Sequence, residues 1–283
     1  MKKLIIFFII LITFLVLILL YSRFIGIKNI QIREYKIVNK NFTDDYYGLK
    51  IVHITDIQYG KVTFDKELDE LVKKVNLTKP DIIIFTGDLI NKNTKLTNEQ
   101  ADKIASILSK MKARIGKYAI EGDNDTGFKN WSLITENSGF KILYNKYETI
   151  YLENNRYILL SGVSSSNISI NERLKETEEF LKSKKEEELP IYSILAMHKP
   201  DDIIDINTKN YNLVLAGHSL NGQIRLPFIG CIGSKPKGAK KYYNPYYKVK
   251  ESDLYISSGI GTNSSNFRLN NKPSFNLYRI VNK

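Results

Sequence analysis

Five short apolar runs in this sequence are each followed closely by a side chain able to hold a metal ion. Asp56 follows the run 49–54, Asp88 follows 81–85, and Asp123 follows 117–120. His198 follows 191–197, and His218 follows 211–216. If these runs are strands of an open α/β sheet, their carboxyl ends are where ligands bind. One such residue alone is usually a turn or capping residue. Five placed by a single topological rule point to a shared site. Carboxylate with imidazole suits Mn, Fe, Zn or Mg. A divalent ion of this kind polarises phosphoryl oxygens and acidifies water. The supply of imidazole is small, because the 283 residues include only three histidines. His53 is the third; strand alternation points it away from the face of Asp56, so it reads as a core residue. Cys231 is the single cysteine, which excludes an intrachain disulfide framework and any Cys-rich zinc or iron–sulfur site.

The elements that must position these residues can be read from periodicity. Leu68, Leu71, Val72 and Val75 fall at helical spacing, and Ile104, Ile107, Leu108 and Met111 repeat the stripe. Set between strands 49–54, 81–85 and 117–120, they predict β-α-β-α-β and a parallel sheet with covering helices. The stretch 141–162 reads as several strands, with turn residues at Asn145 and Asn154-Asn155. Residues 171–188 read as a charged helix with a solvated face. Strands resume at 191–197 and 211–216, and 254–258 and 275–281 close the chain.

Residues 4–21 form an apolar run broken only by Thr13, long enough to span a bilayer, which takes about 20 residues. No small-residue cleavage pattern lies near Tyr21-Ser22-Arg23, and Cys231 is too distant for lipidation. Residues 1–22 are therefore expected to be an uncleaved single-pass membrane anchor. Residues 23–48 are expected to be a linker with an extended segment at 30–38. Lys2 and Lys3 favour a cytoplasmic N-terminus, whereas Arg23, Lys28, Arg33, Lys36 and Lys40 pull the other way. The reading taken is a domain outside the cytoplasm. The net charge of +12 suits anionic lipid or an anionic wall polymer. No nucleic-acid recognition motif accompanies it, and nucleic acid is not an expected partner. Residues 231–250 hold six lysines and four tyrosines but no acid, so they could grip an anionic headgroup.

In order and spacing, these segments resemble the calcineurin-like metallophosphoesterases, in particular a membrane-anchored branch that includes UDP-diacylglucosamine pyrophosphatases. The family's motifs D-x-H, G-D-x-x-D, G-N-H-D, a lone H and G-H-x-H-G-G-Q stand here in altered form. They read Asp56-Ile-Gln58, Gly87-Asp88-Leu-Ile-Asn91, Gly122-Asp-Asn-Asp125, His198-Lys-Pro200 and Gly217-His-Ser-Leu-Asn-Gly-Gln223. The resemblance implies a phosphoesterase domain over 49–283, an α/β fold built as a four-layer α/β/β/α sandwich with two metals at one end. The positions of one metal are Asp56, Gln58, Asp88 and Leu220, where two imidazoles are missing. Those of the other are Asp88, Asp123, His198 and His218, all able to ligate. The family's proton-donating histidine is Asn124 here, and an amide cannot act as a general acid near neutral pH. Asp56 is expected to position water, and Arg225 and Arg268 to contact phosphate or to hold backbone carbonyls. The implied function is metal-dependent hydrolysis of a phosphoester or pyrophosphate, with lipid-linked substrates among the candidates, at a reduced site with one divalent metal. The alternative is a pseudoenzyme that binds a metal or phosphorylated ligand without turnover.

Overall fold

Both apolar stripes are buried on helices, with Met111 of the second lying just past its helix end. The computed structural model describes residues 1–128, 130–152, 156–233, 235–263 and 265–282; the Asn154-Asn155 turn lies outside them. In chain order the helices are α1 (Lys2–Leu20), α2 (Asp65–Thr78), α3 (Asn98–Ser109), α4 (Trp131–Asn137), α5 (Ile170–Arg173) and α6 (Lys175–Lys182). The strands are β1 (Gln31–Ile37), β2 (Lys50–Ile54), β3 (Ile82–Phe85), β4 (Gly116–Ala119), β5 (Lys141–Ile142), β6 (Lys146–Tyr151) and β7 (Tyr157–Gly162). After them come β8 (Tyr192–Ala196), β9 (Leu213–Ala216), β10 (Arg225–Leu226), β11 (Gly230–Cys231), β12 (Tyr246–Val249), β13 (Ser252–Ile256) and β14 (Ser274–Ile280). Leu68, Leu71, Val72 and Val75 are the buried residues of α2. At the start of α3, Thr97 Oγ1 accepts from the Gln100 amide and Gln100 Oε1 accepts from the Thr97 amide, a reciprocal cap.

Two six-stranded sheets carry the domain, with orders β1-β14-β2-β3-β4-β5 and β12-β13-β9-β8-β7-β6. The runs β2-β3-β4-β5 and β13-β9-β8-β7 are parallel, as the alternating pattern requires. Alternate residues divide each sheet between two cores. Val52, Ile54, Ile83 and Phe85 face α2 and α3, whereas Ile51, Ile82 and Ile84 meet Ile158, Leu160, Ile194 and Leu213 between the sheets. Leu195, Met197, Val214 and Ala216 pack outward with Ile170 and Leu174. The layers are thus α/β/β/α.

Two segments differ from expectation. Residues 30–38 are extended, but β1 belongs to the sheet, pairing in parallel with β14 from Gln31–Ser274 to Ile37–Ile280. Phe42 and Tyr46 from the same stretch are buried between the sheets. The stretch 171–188 is two short helices meeting at Leu174, followed by a separate turn of 3-10 helix, Glu186–Glu188. Leu174 is fully buried, and this anchors the break. At the N-terminus, α1 runs on through one π-helical turn, Tyr21–Ile25. Together they form an apolar helix of 24 residues with no part of its hydrophobic window buried, long enough to cross a membrane.

Candidate metal centre

The loops that follow β2, β3, β4, β8 and β9 converge at one end of the sandwich. They do so through unusual backbone. Asp56, Gln58, Asp88, His218 and Leu220 all have positive φ, between 49° and 63°. Left-handed backbone is uncommon outside glycine, and its clustering marks a site whose geometry the surrounding fold enforces. Gly217 permits the closest approach, since a Cβ there would fall 2.0 Å from Thr55 Oγ1 and 2.4 Å from Asp56 Oδ2.

Three ligand atoms meet in this end. His198 Nε2 lies 3.2 Å from His218 Nδ1 and 3.4 Å from Asp88 Oδ1. All three residues are buried, and their ligand atoms lie within 4.8 Å of one another. The far nitrogen of each imidazole faces a carbonyl, His198 Nδ1 at 2.7 Å from Thr86 O and His218 Nε2 at 2.9 Å from Lys237 O. A carbonyl can only accept, so those nitrogens carry the hydrogens and the facing pair are free to ligate. Zinc–nitrogen bonds of about 2.05 Å in a tetrahedron put neighbouring ligands about 3.3 Å apart, which these separations match. The three residues therefore fit a divalent cation.

The electrostatics agree. Burial opposes a charge on His198, but Asp88, Asp56 and Asp123 outweigh it and raise its pKa to about 10. Burial and then the neighbouring His198 push His218 down. Burial would raise Asp88, but His198 and hydrogen bonds hold it below the usual carboxylate range. The carboxylates that favour positive charge at His198 would favour a bound dication there too.

The other expected residues take different places. Asp56 Oδ2 accepts from the His218 backbone amide at 2.9 Å and from Thr55 Oγ1 at 2.8 Å, so it fixes the His218 loop. Asp123 Oδ1 lies 2.9 Å from Lys199 Nζ and stands outside the three-residue cluster. Asn124 donates from its side chain to Asp88 Oδ2 and from its backbone to Asp88 Oδ1, both at 2.9 Å. Gln58 Nε2 reaches Asp88 Oδ2 at 2.7 Å, while Gln58 Oε1 accepts from Asn91 and Asn124. An amide network thus fills the side of Asp88 opposite the histidines, and Leu220 is buried nearby with its Cδ2 close to Gly259. Asp125 accepts from the amides of Asp88, Leu89 and Gly122, and its pKa is raised to about 7 by burial and by Asp88. Arg268 is fully buried, with Nε, Nη1 and Nη2 donating to the carbonyls of Ser258, Gly259, Gly261 and Asn271. Of the two roles expected for it, the carbonyl-holding one is what these contacts describe. Arg225 donates to Asn221 O and Asn244 Oδ1.

Sequence reasoning missed Asn91 and Lys199 as members of this region. Lys199 directly follows His198, but nothing in a one-dimensional pattern aims it at Asp123. His53 is buried as expected, its Nε2 2.8 Å from Thr86 Oγ1. A cleft of about 210 Å³ adjoins the centre, with His218, Gln223, Ile232, Lys235 and Tyr243 among its walls.

A two-sheet α/β sandwich with an Asp-His-His cluster at the strand ends defines a metal-dependent hydrolase scaffold. Residues 49–222, more than half the chain, match the calcineurin-like phosphoesterase family, and the chain belongs to it. It is 29% identical over 266 residues to the uncharacterized metallophosphoesterase YkuE of Bacillus subtilis, covering 92% of this chain and 88% of that one. A shorter match, 33% identical over 79 residues, is to the UDP-2,3-diacylglucosamine pyrophosphatase LpxG of Chlamydia muridarum, covering 28% of this chain and 23% of that one. Among solved structures, the NAD nucleotidase NadN of Haemophilus influenzae aligns with a TM-score of 0.50 at 13% identity, over 75% of this chain and 45% of that one. That likeness speaks for the fold alone.

Proposed function

We propose that this chain is a membrane-attached phosphoesterase working through one metal centre made by Asp88, His198 and His218. The observation that carries this reading is the convergence of two imidazole lone pairs and one carboxylate oxygen at 3.2 and 3.4 Å, each imidazole held by a carbonyl behind it. A bound Mn, Fe, Zn or Mg ion would supply a Lewis acid for a phosphoryl oxygen and acidify water. The chain's own groups do the rest. Asp56 holds the His218 loop, the Asn124 amide restrains Asp88, and Lys235 at the cleft wall attracts an anionic substrate. A lipid-linked phosphoester or pyrophosphate as substrate, and a domain outside the cytoplasm, are further parts of this proposal. The apolar N-terminal helix and the LpxG match support the first.

One observation favours binding without turnover. Both oxygens of Asp88 accept hydrogen bonds from protein amides, and no imidazole occupies the Asn124 position. The test is metal content of the purified full chain, together with hydrolysis of an aryl phosphodiester in Mn²⁺. One ion per chain, with turnover that Asp88→Ala abolishes, is the expected result. One ion without turnover leaves the binding reading standing, and two ions or none overturns the single centre.

A further inference from the structure

We propose that the β10–β11 hairpin is a membrane wedge. Its apolar tip, Phe228-Ile229, enters the bilayer beside the N-terminal helix, and the lysine segment behind it rests on anionic headgroups. The cleft at His218 then opens at the lipid surface. This rests on the membrane-attached reading above and names the face that meets the membrane.

The tip is built to project. Phe228 is fully exposed at 110% and Ile229 is 72% exposed. Phe228 also has a φ of 64°, a conformation that a bulky residue rarely adopts. A hairpin that strains its backbone to hold a phenyl ring in solvent gains from it only where the solvent is replaced by something apolar.

The hairpin's place in the fold identifies that something. The end of the N-terminal helix is seated on residue 268. The Arg268 backbone amide donates to Ser22 O at 3.0 Å, and a Cβ at Gly26 would fall 2.1 Å from Arg268 O. The next residue, Leu269, accepts from the Arg225 amide at 2.9 Å, which places β10 one strand spacing, about 5 Å, from the backbone that receives the helix. Phe24 and Ile25, at the last turn of that helix, are exposed at 56% and 57%. The exposed apolar surface of the helix end and that of the hairpin tip therefore spring from neighbouring backbone.

Charge and cleft follow the same chain. Beyond the hairpin, Lys237, Lys240 and Lys241 are exposed, and residues 231–250 contain no acid. Among the described residues, two carboxylates meet this segment: Asp201 is bonded to the backbone amides of Lys240, Lys241 and Tyr242, and Asp253 pairs with Lys248 and accepts from Tyr246 at the far end, away from Lys237, Lys240 and Lys241. Lys237 is also the residue whose carbonyl holds His218. The return strand of the hairpin contributes Cys231 to the cleft, and Ile232 and Lys235 follow it there. Wedge, basic strip and cleft wall are one continuous segment, and anionic lipid complements it.

The test uses full chain reconstituted in phosphatidylcholine vesicles whose acyl chains are brominated, with or without phosphatidylglycerol. Phe228→Trp places a reporter at the tip; Trp131 is buried and gives the background. Leu77→Trp, at an exposed position on α2, is the control. Quenching of the tip reporter several-fold above both, and stronger with phosphatidylglycerol, is expected. Quenching no greater than at position 77 overturns the wedge, and quenching indifferent to phosphatidylglycerol overturns the basic strip. Metal content is measured on the same sample. A tip that stays unquenched in a chain holding one ion rejects the wedge alone, and a quenched tip in a metal-free chain rejects the single-centre reading alone.

Discussion

At the scale of single residues, the proposed metal centre depends on which partners its carboxylates choose. Asp123 was legible as a candidate ligand because it follows a strand, but Lys199 takes its oxygen at 2.9 Å. Strand-end placement is visible in a sequence; the direction a carboxylate turns depends on a side chain from another loop and is not. Replacing Lys199 with Met should free Asp123 and remove a positive charge from the site. Mn²⁺ binding, followed by titration calorimetry, should tighten several-fold, more so at low ionic strength. Unchanged affinity would mean that Asp123 plays no part. The amide side of Asp88 makes the complementary prediction. Gln58→His with Leu220→His puts imidazole at both missing positions and removes one amide from Asp88. Metal content should rise from one ion to two per chain, and a stoichiometry that stays at one would show that Asn91 and Asn124 keep that side closed.

At the scale of elements, α2, α3 and most strands were legible because each buries one face and shows it by period, whereas the short helix α4 was not expected. Strand β1 was legible as an extended segment but not as a member of the sheet, because its partner β14 lies some 240 residues further on and its own outward residues are exposed. An edge strand paired on one side has little apolar pattern to display. Strand β2 carries a different consequence. His53 is fully buried in it, beside Thr86 and the ring of Tyr278, and desolvation lowers its pKa from 6.5 to about 3. Tyr278 is pushed up by its own burial and stays neutral. As pH falls below 6.5, the unfolded chain takes up a proton at His53 that the folded chain refuses. The stability is whole above pH 6.5 and is lost on the way down to pH 3, at about 1.4 kcal/mol per pH unit. His53→Gln keeps a polar group for Thr86 but does not titrate. Urea unfolding at pH 7.5 and pH 5 should show the natural chain losing about 2 kcal/mol more than this variant. Equal losses would place the titrating group elsewhere.

At the scale of the whole molecule, the N-terminal helix is joined to the proposed metal centre through a short series of contacts, most of them to backbone. Ser22 O accepts from the Arg268 amide. The Arg268 guanidinium gathers the carbonyls of Ser258, Gly259 and Gly261. Asp56 O in turn accepts from the amides of Ile260 and Gly261, while its carboxylate holds the His218 amide. Five strand-end residues predicted a site, but this link could not be read in advance, because a sequence does not show which backbone carbonyls and amides the Arg268 guanidinium and the Asp56 carboxylate will gather. It means that the helix does not lead into a slack tether. Gly26 is the point of closest approach, and Gly26→Val would drive its side chain into Arg268 O. The helix end should then lift from the 268 loop while the guanidinium keeps the 258–261 carbonyls gathered. Energy transfer from a dye on α2 to acceptor lipids in a reconstituted bilayer should therefore report a broader distance distribution in the variant. Mn²⁺ affinity should stay within about twofold, since sites without shared contacts are nearly independent. A narrow distribution in the variant would show that the domain's orientation is held elsewhere. A large loss of Mn²⁺ affinity would show instead that the seat of the helix is part of what shapes the Asp56–His218 contact.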